Sequence, residues 1–420
     1  MPTTAAQSAE KPGRVQDAFL TGLIAQKPEL SERLSALTLP SPKDEEWRFT
    51  SLAALKATTF APAAQAPDVT LEDIAPFILS EAQASRMVFV NGLHAPHLSD
   101  VSALGHTIAF ASESWEATED DAFDALNAMF ATASTAITIP RAQLAPSPIH
   151  LLFVTVPQAE PVMASPRVRV TLETMSEATL IEDYVALGDG PAFTNAAIAF
   201  SVAAGARLKH VRLQRENRQT HHLGRSVATL SRDAVYDAHA FSLGGAFSRY
   251  EPKAVQTDEG TDVRMHGLML LSGEQLGDTH STLDHARPHG TSNQVHKCIV
   301  AGSARAVFNG KILVRKDAQQ TNSAQSSRNL LLSPRARVDA KPQLEIFADD
   351  VKCAHGATVG QLDPEEVFYL QSRGLGEADA RSLLVYAFAA EVFDHIPVPS
   401  IKELLRTLVQ EQLLATQSDR

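Results

Sequence analysis

Two stretches of this 420-residue chain concentrate side chains able to hold a metal or do chemistry. The first contains Asp278, His280, Asp284, His285, His289 and His296. Imidazole and carboxylate suit iron or zinc, and two histidines with one carboxylate form a recognised non-haem iron set. On a strand, however, His280 and Asp284 point to one face and His285 to the other. Surface and coil-packing histidines therefore explain this group better than a permanent metal centre. The second stretch, ADDVKCAHGATVG, contains Asp349, Asp350, Lys352, Cys353 and His355. Cys353 and His355 are two apart, so an extended strand puts both on one face, where they can act together. A lysine or protonated histidine nearby lowers a thiol's pKa and makes it a better soft-metal or sulfur ligand. The plain alternative is that Cys353 is a small buried hydrophobe and His355 a hydrogen-bonded turn residue. Two ligands alone do not complete a site.

Cys298, set among apolar neighbours in VHKCIVAG, reads as a structural core residue. With only two cysteines, the chain can build neither a disulfide framework nor a four-thiolate metal site. Metal bound through sulfur must then be shared, transient or completed by a partner. There is no GxxxxGK[ST] phosphate loop, no GxSxG elbow and no HExxH zinc helix. The GDG of Gly188 to Gly190 is explained by a tight turn. If the function needs ATP, another chain must supply the ATPase. A formal charge of -12 argues against nucleic-acid binding, which needs a basic surface. No run approaches the ~20 apolar residues of a membrane span, and Met1 to Arg14 lack a signal-peptide apolar region. These features lead to the expectation of a cytoplasmic protein that binds no membrane.

The elements that must position these residues fall into three regions: 1–148, mostly helical with a short strand; 149–362, rich in strands; and 363–420, helical. In the first, apolar spacing predicts helices over Val15 to Gln26, Glu29 to Leu37, near Asp44, Thr70 to Leu79 and Glu119 to Thr132, and a strand over Met87 to Val90. In the second, short alternating runs such as Leu151 to Val156, Arg167 to Leu172, Ala196 to Val202, Arg207 to Leu213 and Ala306 to Val314 are separated by Gly, Asp, Asn and Ser. Stretches beginning at Ala206, Ala234 and Asp262 echo one another 28 residues apart, the order of one coil of a β-solenoid. Later segments, at Ala306, Ala336 and Asp350, keep the pattern at uneven intervals. A sandwich would also give short strands. The solenoid is favoured because coils stacking their apolar side chains need few aromatics, here 6%. In the third region, Glu365 to Arg373 is stopped by Gly374, Ala378 to His395 carries a broad apolar stripe, and Ile401 to Leu414 follows Pro399 with Ile401, Leu404, Leu405, Leu408 and Leu413 or Leu414 on one face. That face serves either ordinary packing or docking of a partner.

The run from Thr279 through Gly374 resembles the shared signature of the SufB/SufD family: THSTLDHARPHGTSNQ, then the FxGKI, AQQTNSxQ, LLLS, KPxLEI, DDVKCxHGAT and FYLxSRG blocks in order. PKDEEWRFTSL, from Pro42 to Leu52, is a weaker match to the family's amino-terminal block. The resemblance implies a mainly β fold, a right-handed parallel β-helix core flanked by N-terminal and C-terminal helical regions. It implies a non-enzymatic scaffold in iron–sulfur cluster assembly, paired through the β-helix with a SufB-type paralogue and docking a SufC-type ATPase on its C-terminal helices. A nascent cluster or iron would be held at the subunit interface, with His355 and Cys353 as this chain's ligands. The resemblance also raises reduced flavin (FADH2) as a ligand of the complex, and a homodimer when the chain is alone. Its low cysteine content places the chain in the branch without the sulfur-accepting role. The alternatives are a SufB-type main scaffold, a β-helix enzyme acting on polysaccharide, and a metal-dependent enzyme using His280, Asp284 and His285.

Overall fold

The computed structural model describes residues 17–105, 108–113, 121–131, 134–393 and 395–418. The expected helix starts at Val15 and Glu119, and the end at Thr132, lie outside these residues. From Ile149 to Gly360 the chain winds as a parallel β-helix, each coil giving one strand to each of two sheets. The first sheet runs through Ala192–Val202, Thr220–Leu230, Phe247–Gln256, Leu276–His285 and Arg305–Val314 to Arg337–Ile346. The second runs through Glu177–Ala186, Arg207–Gln214, Val235–Ser242, Asp262–Leu271, Thr291–Val300 and Thr321–Leu331 to Val351–Gly360. Arg86–Val90 and Ser134–Ile139 pair onto the other ends of these sheets.

The sequence echo is the coil itself: Arg207 pairs with Val235, and Val235 with Asp262, in parallel register. The later echoes were uneven because they belong to different sheets. Arg305–Val314 and Arg337–Ile346 are neighbours in the first, whereas Val351–Gly360 lies in the second. Two residues before these second-sheet strands, the chain turns through a left-handed residue: Asp233 (φ 55°), Gly260 (φ 72°) and His289 (φ 59°) occupy equivalent corners. The rare conformation closes the turn, and it gives His289 a backbone role.

Between the sheets, Ile198, Phe200, Leu208, Leu230, Val263, Met265, Leu283 and Ile312 stack from coil to coil. Each such side chain contributes about 1.5–3 kcal/mol on full burial. Both outer faces are also covered. Phe19, Leu23, Trp47 and Phe60 of the amino-terminal segment pack over Phe193, Leu223 and Phe247 of the first sheet. On the second sheet, Leu268, Leu270 and Ile299 receive Val385, Ala389 and Phe393 of the helix Glu377–Phe393, and Ile401, Leu405 and Val409 of the helix Pro399–Ser418.

The last helix therefore uses its apolar stripe for packing, while Leu404 and Leu408 are half-buried; the side chains of Leu413 and Leu414 lie outside the described set. Exposed apolar surface lies instead on the two helices before it. Phe368 is 71% and Tyr369 56% exposed on Pro364–Ser372, and Leu383 is 47% exposed on Glu377–Phe393. Among the described residues no helix is long and apolar enough to cross a membrane.

Candidate functional site

The histidine-rich stretch is pulled apart by its own strand. On Leu276–His285 the side chains alternate as expected from the sequence: Asp278 and His280 meet the amino-terminal segment, whereas Leu283 and His285 face the solenoid interior. His280 lies 3.1 Å from Asp278 Oδ1 and 3.2 Å from Glu46 Oε2. Burial lowers its pKa most strongly, but the two carboxylates outweigh it and leave the pKa raised. Asp284 accepts the fork of Arg315 at 2.8 and 2.7 Å. His285 points inward to Ser292 Oγ at 2.9 Å, and burial pushes its pKa down to about 4. His296 stacks on Phe308 at 4.4 Å, and burial pushes it down to about 3. Among the described residues, no three His, Cys, Asp or Glu side chains converge to hold a metal ion.

Asp278 instead anchors the amino-terminal block. Its carboxylate accepts from Arg249 and from the Thr50 hydroxyl, and the Arg249 guanidinium lies 3.8 Å from the centre of the Trp47 ring. Arg249 also donates to Glu251 Oε1 at 2.6 Å and to the Glu46 carbonyl at 3.1 Å. This clamp gives the PKDEEWRFTSL segment a structural purpose.

Sequence reasoning also missed a buried ionic network inside the middle coils. His222 Nδ1 sits 2.7 Å from Glu216, Tyr184 donates to Glu182 at 2.8 Å, and Arg212 is wedged between the Tyr184 and Tyr250 rings. Tyr184 and Glu182 are two apart on one strand, whereas Arg212 meets the Tyr184 and Tyr250 rings only through the winding of the coils, of which spacing along the chain carries no sign. Beside them a cavity of about 20 Å³, large enough for one water, is lined by His210, Tyr250, Thr279, Gln294 and His296.

The second candidate pair is held together. Among the described residues Val351–Gly360 is the last strand of its sheet, paired on one side only, with Ser323 opposite Cys353 and Gln325 opposite His355. Ser323 and Gln325 are buried and inward-facing, so their register partners are on the lumen side. Cys353 packs half-buried against the end of the stacked core, while His355 is exposed at the open mouth.

The expected electrostatics of Cys353 need correction. Its thiol pKa is raised rather than lowered, because burial outweighs a backbone hydrogen bond from Ser323. Lys352, one residue away, belongs to the opposite face of the strand and is exposed. Cys298 is fully buried with its pKa pushed up by burial, as a core residue should be.

The solenoid is covered on both flanks, and the imidazole of His355 and the thiol of Cys353 lie on its last coil. The family described as "SUF system FeS cluster assembly, SufBD core domain" matches residues 154–388. An iron–sulfur cluster assembly SufBD family protein of Synechocystis is 38% identical over 414 residues, covering 92% of this chain and 90% of that protein. The iron–sulfur cluster assembly protein SufD of Escherichia coli is 35% identical over 397 residues, covering 92% and 93%. A chloroplast protein of Arabidopsis thaliana is 31% identical over 404 residues, covering 90% and 84%. The chain belongs to the SufB/SufD family of iron–sulfur cluster assembly proteins and is SufD-like within it.

Proposed function

We propose that this chain is one half of a two-subunit scaffold on which a nascent iron–sulfur cluster is built, and that His355, with Cys353 beside it, is its contribution to the ligand set. The observation that carries this reading is the position of the pair: same face, last strand, open end. A ten-residue strand with one free edge presents unpaired backbone N–H and C=O groups to a further strand. A SufB-type paralogue with a matching edge would continue both sheets and bring its own ligands to His355. Iron and sulfide are cargo in this scheme. Two donors from one subunit are too few for permanent retention, which suits a cluster that must later leave.

The drive comes from a SufC-type ATPase docked on the region 363–420. The groove of about 510 Å³ between the helices Pro364–Ser372 and Glu377–Phe393, lined by Glu366, Tyr369, Leu370, Leu383 and Leu384, is the surface that supports this assignment. A mechanical path leads inward from it. Lys297 Nζ donates to the Phe388 carbonyl at 2.6 Å and pairs with Glu391, fastening the longer helix to the strand Thr291–Val300. That strand pairs with Thr321–Leu331, which pairs with the strand bearing His355. ATP binding draws two ATPase subunits together, the helices follow, and the subunit interface opens for iron to meet sulfur delivered by the partner.

The test is His355→Ala. The variant folds and co-purifies with both partners as before, but cells relying on it lose cluster formation. Unchanged growth under iron limitation would refute the ligand role.

A further inference from the structure

Within the last coils one column of the filling turns polar, with Met265 followed in register by Gln294 and Gln325. Gln294 Nε2 donates to Ser281 Oγ at 2.6 Å, and Gln325 Nε2 donates to Gln294 Oε1 at 2.7 Å. Both glutamines are buried, and the register carries one column from Gln294 through Gln325 to His355. With Nε2 committed to Gln294, the Oε1 of Gln325 is left buried without a hydrogen-bond partner among the described residues. An unmet acceptor in such a place costs ~1–3 kcal/mol, so its persistence calls for a donor. The next side chain in the column is the imidazole of His355. The amide is also given room from the facing sheet, because a Cβ at Gly310 would run into it.

Resting on the reading of His355 as a ligand, we propose that Gln325 is its positioning residue. The free Oε1 accepts the N–H of one His355 ring nitrogen, fixes the tautomer, and turns the other nitrogen outward across the mouth of the solenoid. Outer-shell partners of this kind orient a metal-binding imidazole and raise its basicity. The file Ser281, Gln294, Gln325 then sets the direction of the ligand before any partner arrives.

The test compares the full-length chain, carrying nitrogen-15 histidine, with Gln325→Met, Gln325→Glu and Gly310→Ala; His355→Ala identifies the signal. In the unmodified chain the two His355 nitrogens give well-separated shifts, one protonated and one bare. In Gln325→Met they converge as the tautomers mix, and Gly310→Ala does the same by displacing the amide. Gln325→Glu keeps an acceptor and restores the separation. Cluster formation in cells falls ~10-fold or more in Gln325→Met. Identical nitrogen shifts in Gln325→Met and the unmodified chain overturn the proposal. If His355→Ala abolishes cluster formation while Gln325→Met changes neither shifts nor clusters, only the role of Gln325 falls. If His355→Ala is silent in cells, the ligand reading falls, and the shifts still decide whether Gln325 holds the ring.

Discussion

The clamp between the solenoid and the amino-terminal block allows a sharp test by Arg249→Met. Arg249 is 1% exposed and Asp278 is likewise buried. Among the described residues the substitution leaves Asp278 with the Thr50 hydroxyl and His280. Removing one partner of a buried pair costs about 3–5 kcal/mol. Loss of the Trp47 contact adds up to about 2 kcal/mol at a desolvated site. Burying the methionine returns about 1.5–3 kcal/mol, and Glu251, at the edge of the clamp, regains water. Taken at their midpoints these terms leave a net loss of about 3 kcal/mol, read as a lower urea midpoint.

The pH dependence separates charge from packing. In the intact protein, burial pushes the Asp278 carboxyl up, but Arg249 and His280 outweigh it and the pKa is lowered. Its stabilisation is therefore present above the unfolded value near 3.8 and lost as pH falls through the depressed folded value. In Arg249→Met burial prevails and the carboxyl binds a proton more tightly than in the unfolded chain. The deficit should then be largest at neutral pH and shrink toward pH ~3. Adding Asp278→Asn should recover part of it. A deficit that is flat with pH, or below about 1 kcal/mol, refutes the electrostatic account.

Asp183, fully buried, accepts the Arg215 fork at 3.0 and 2.7 Å and has its pKa lowered from 3.8 to about 2, although burial acts against this. At about 1.36 kcal/mol per pH unit it contributes about 2.5 kcal/mol at neutral pH. That stability should vanish between pH ~4 and pH ~2, and Asp183→Asn should flatten this part of the acid-unfolding curve. Phe368→Asp combined with Leu383→Asp, both exposed, should change the unfolding free energy by no more than about 0.5 kcal/mol while abolishing co-purification with the proposed ATPase partner; retained binding would move the docking surface elsewhere.

What the sequence disclosed was the periodic part of the molecule. Alternation and small-residue turns marked Arg167–Leu172 to the residue, and the echo of Arg207, Val235 and Asp262 is coil pairing seen along the chain. What it concealed depends on which coil lies beside which. Thr50 meets Asp278 across 228 residues, and no local pattern foretells that contact. Adjacency in sequence suggests Lys352 as a neighbour of the Cys353 thiol, whereas the two-residue period of a strand sends them to opposite sides. His355 could be placed on a strand from its spacing, but that this strand is the last one is a property of the whole wound chain.

The bare margin of Val351–Gly360 also bears on how such a protein is made. A stack of coils has no internal stopping rule: whatever satisfies one rung satisfies the next, so an unsealed rim accepts any extended segment that reaches it. If the rim pairs with a second subunit as proposed, copies made in excess of that subunit would meet rim to rim, and the balance of subunit production would bear on aggregation.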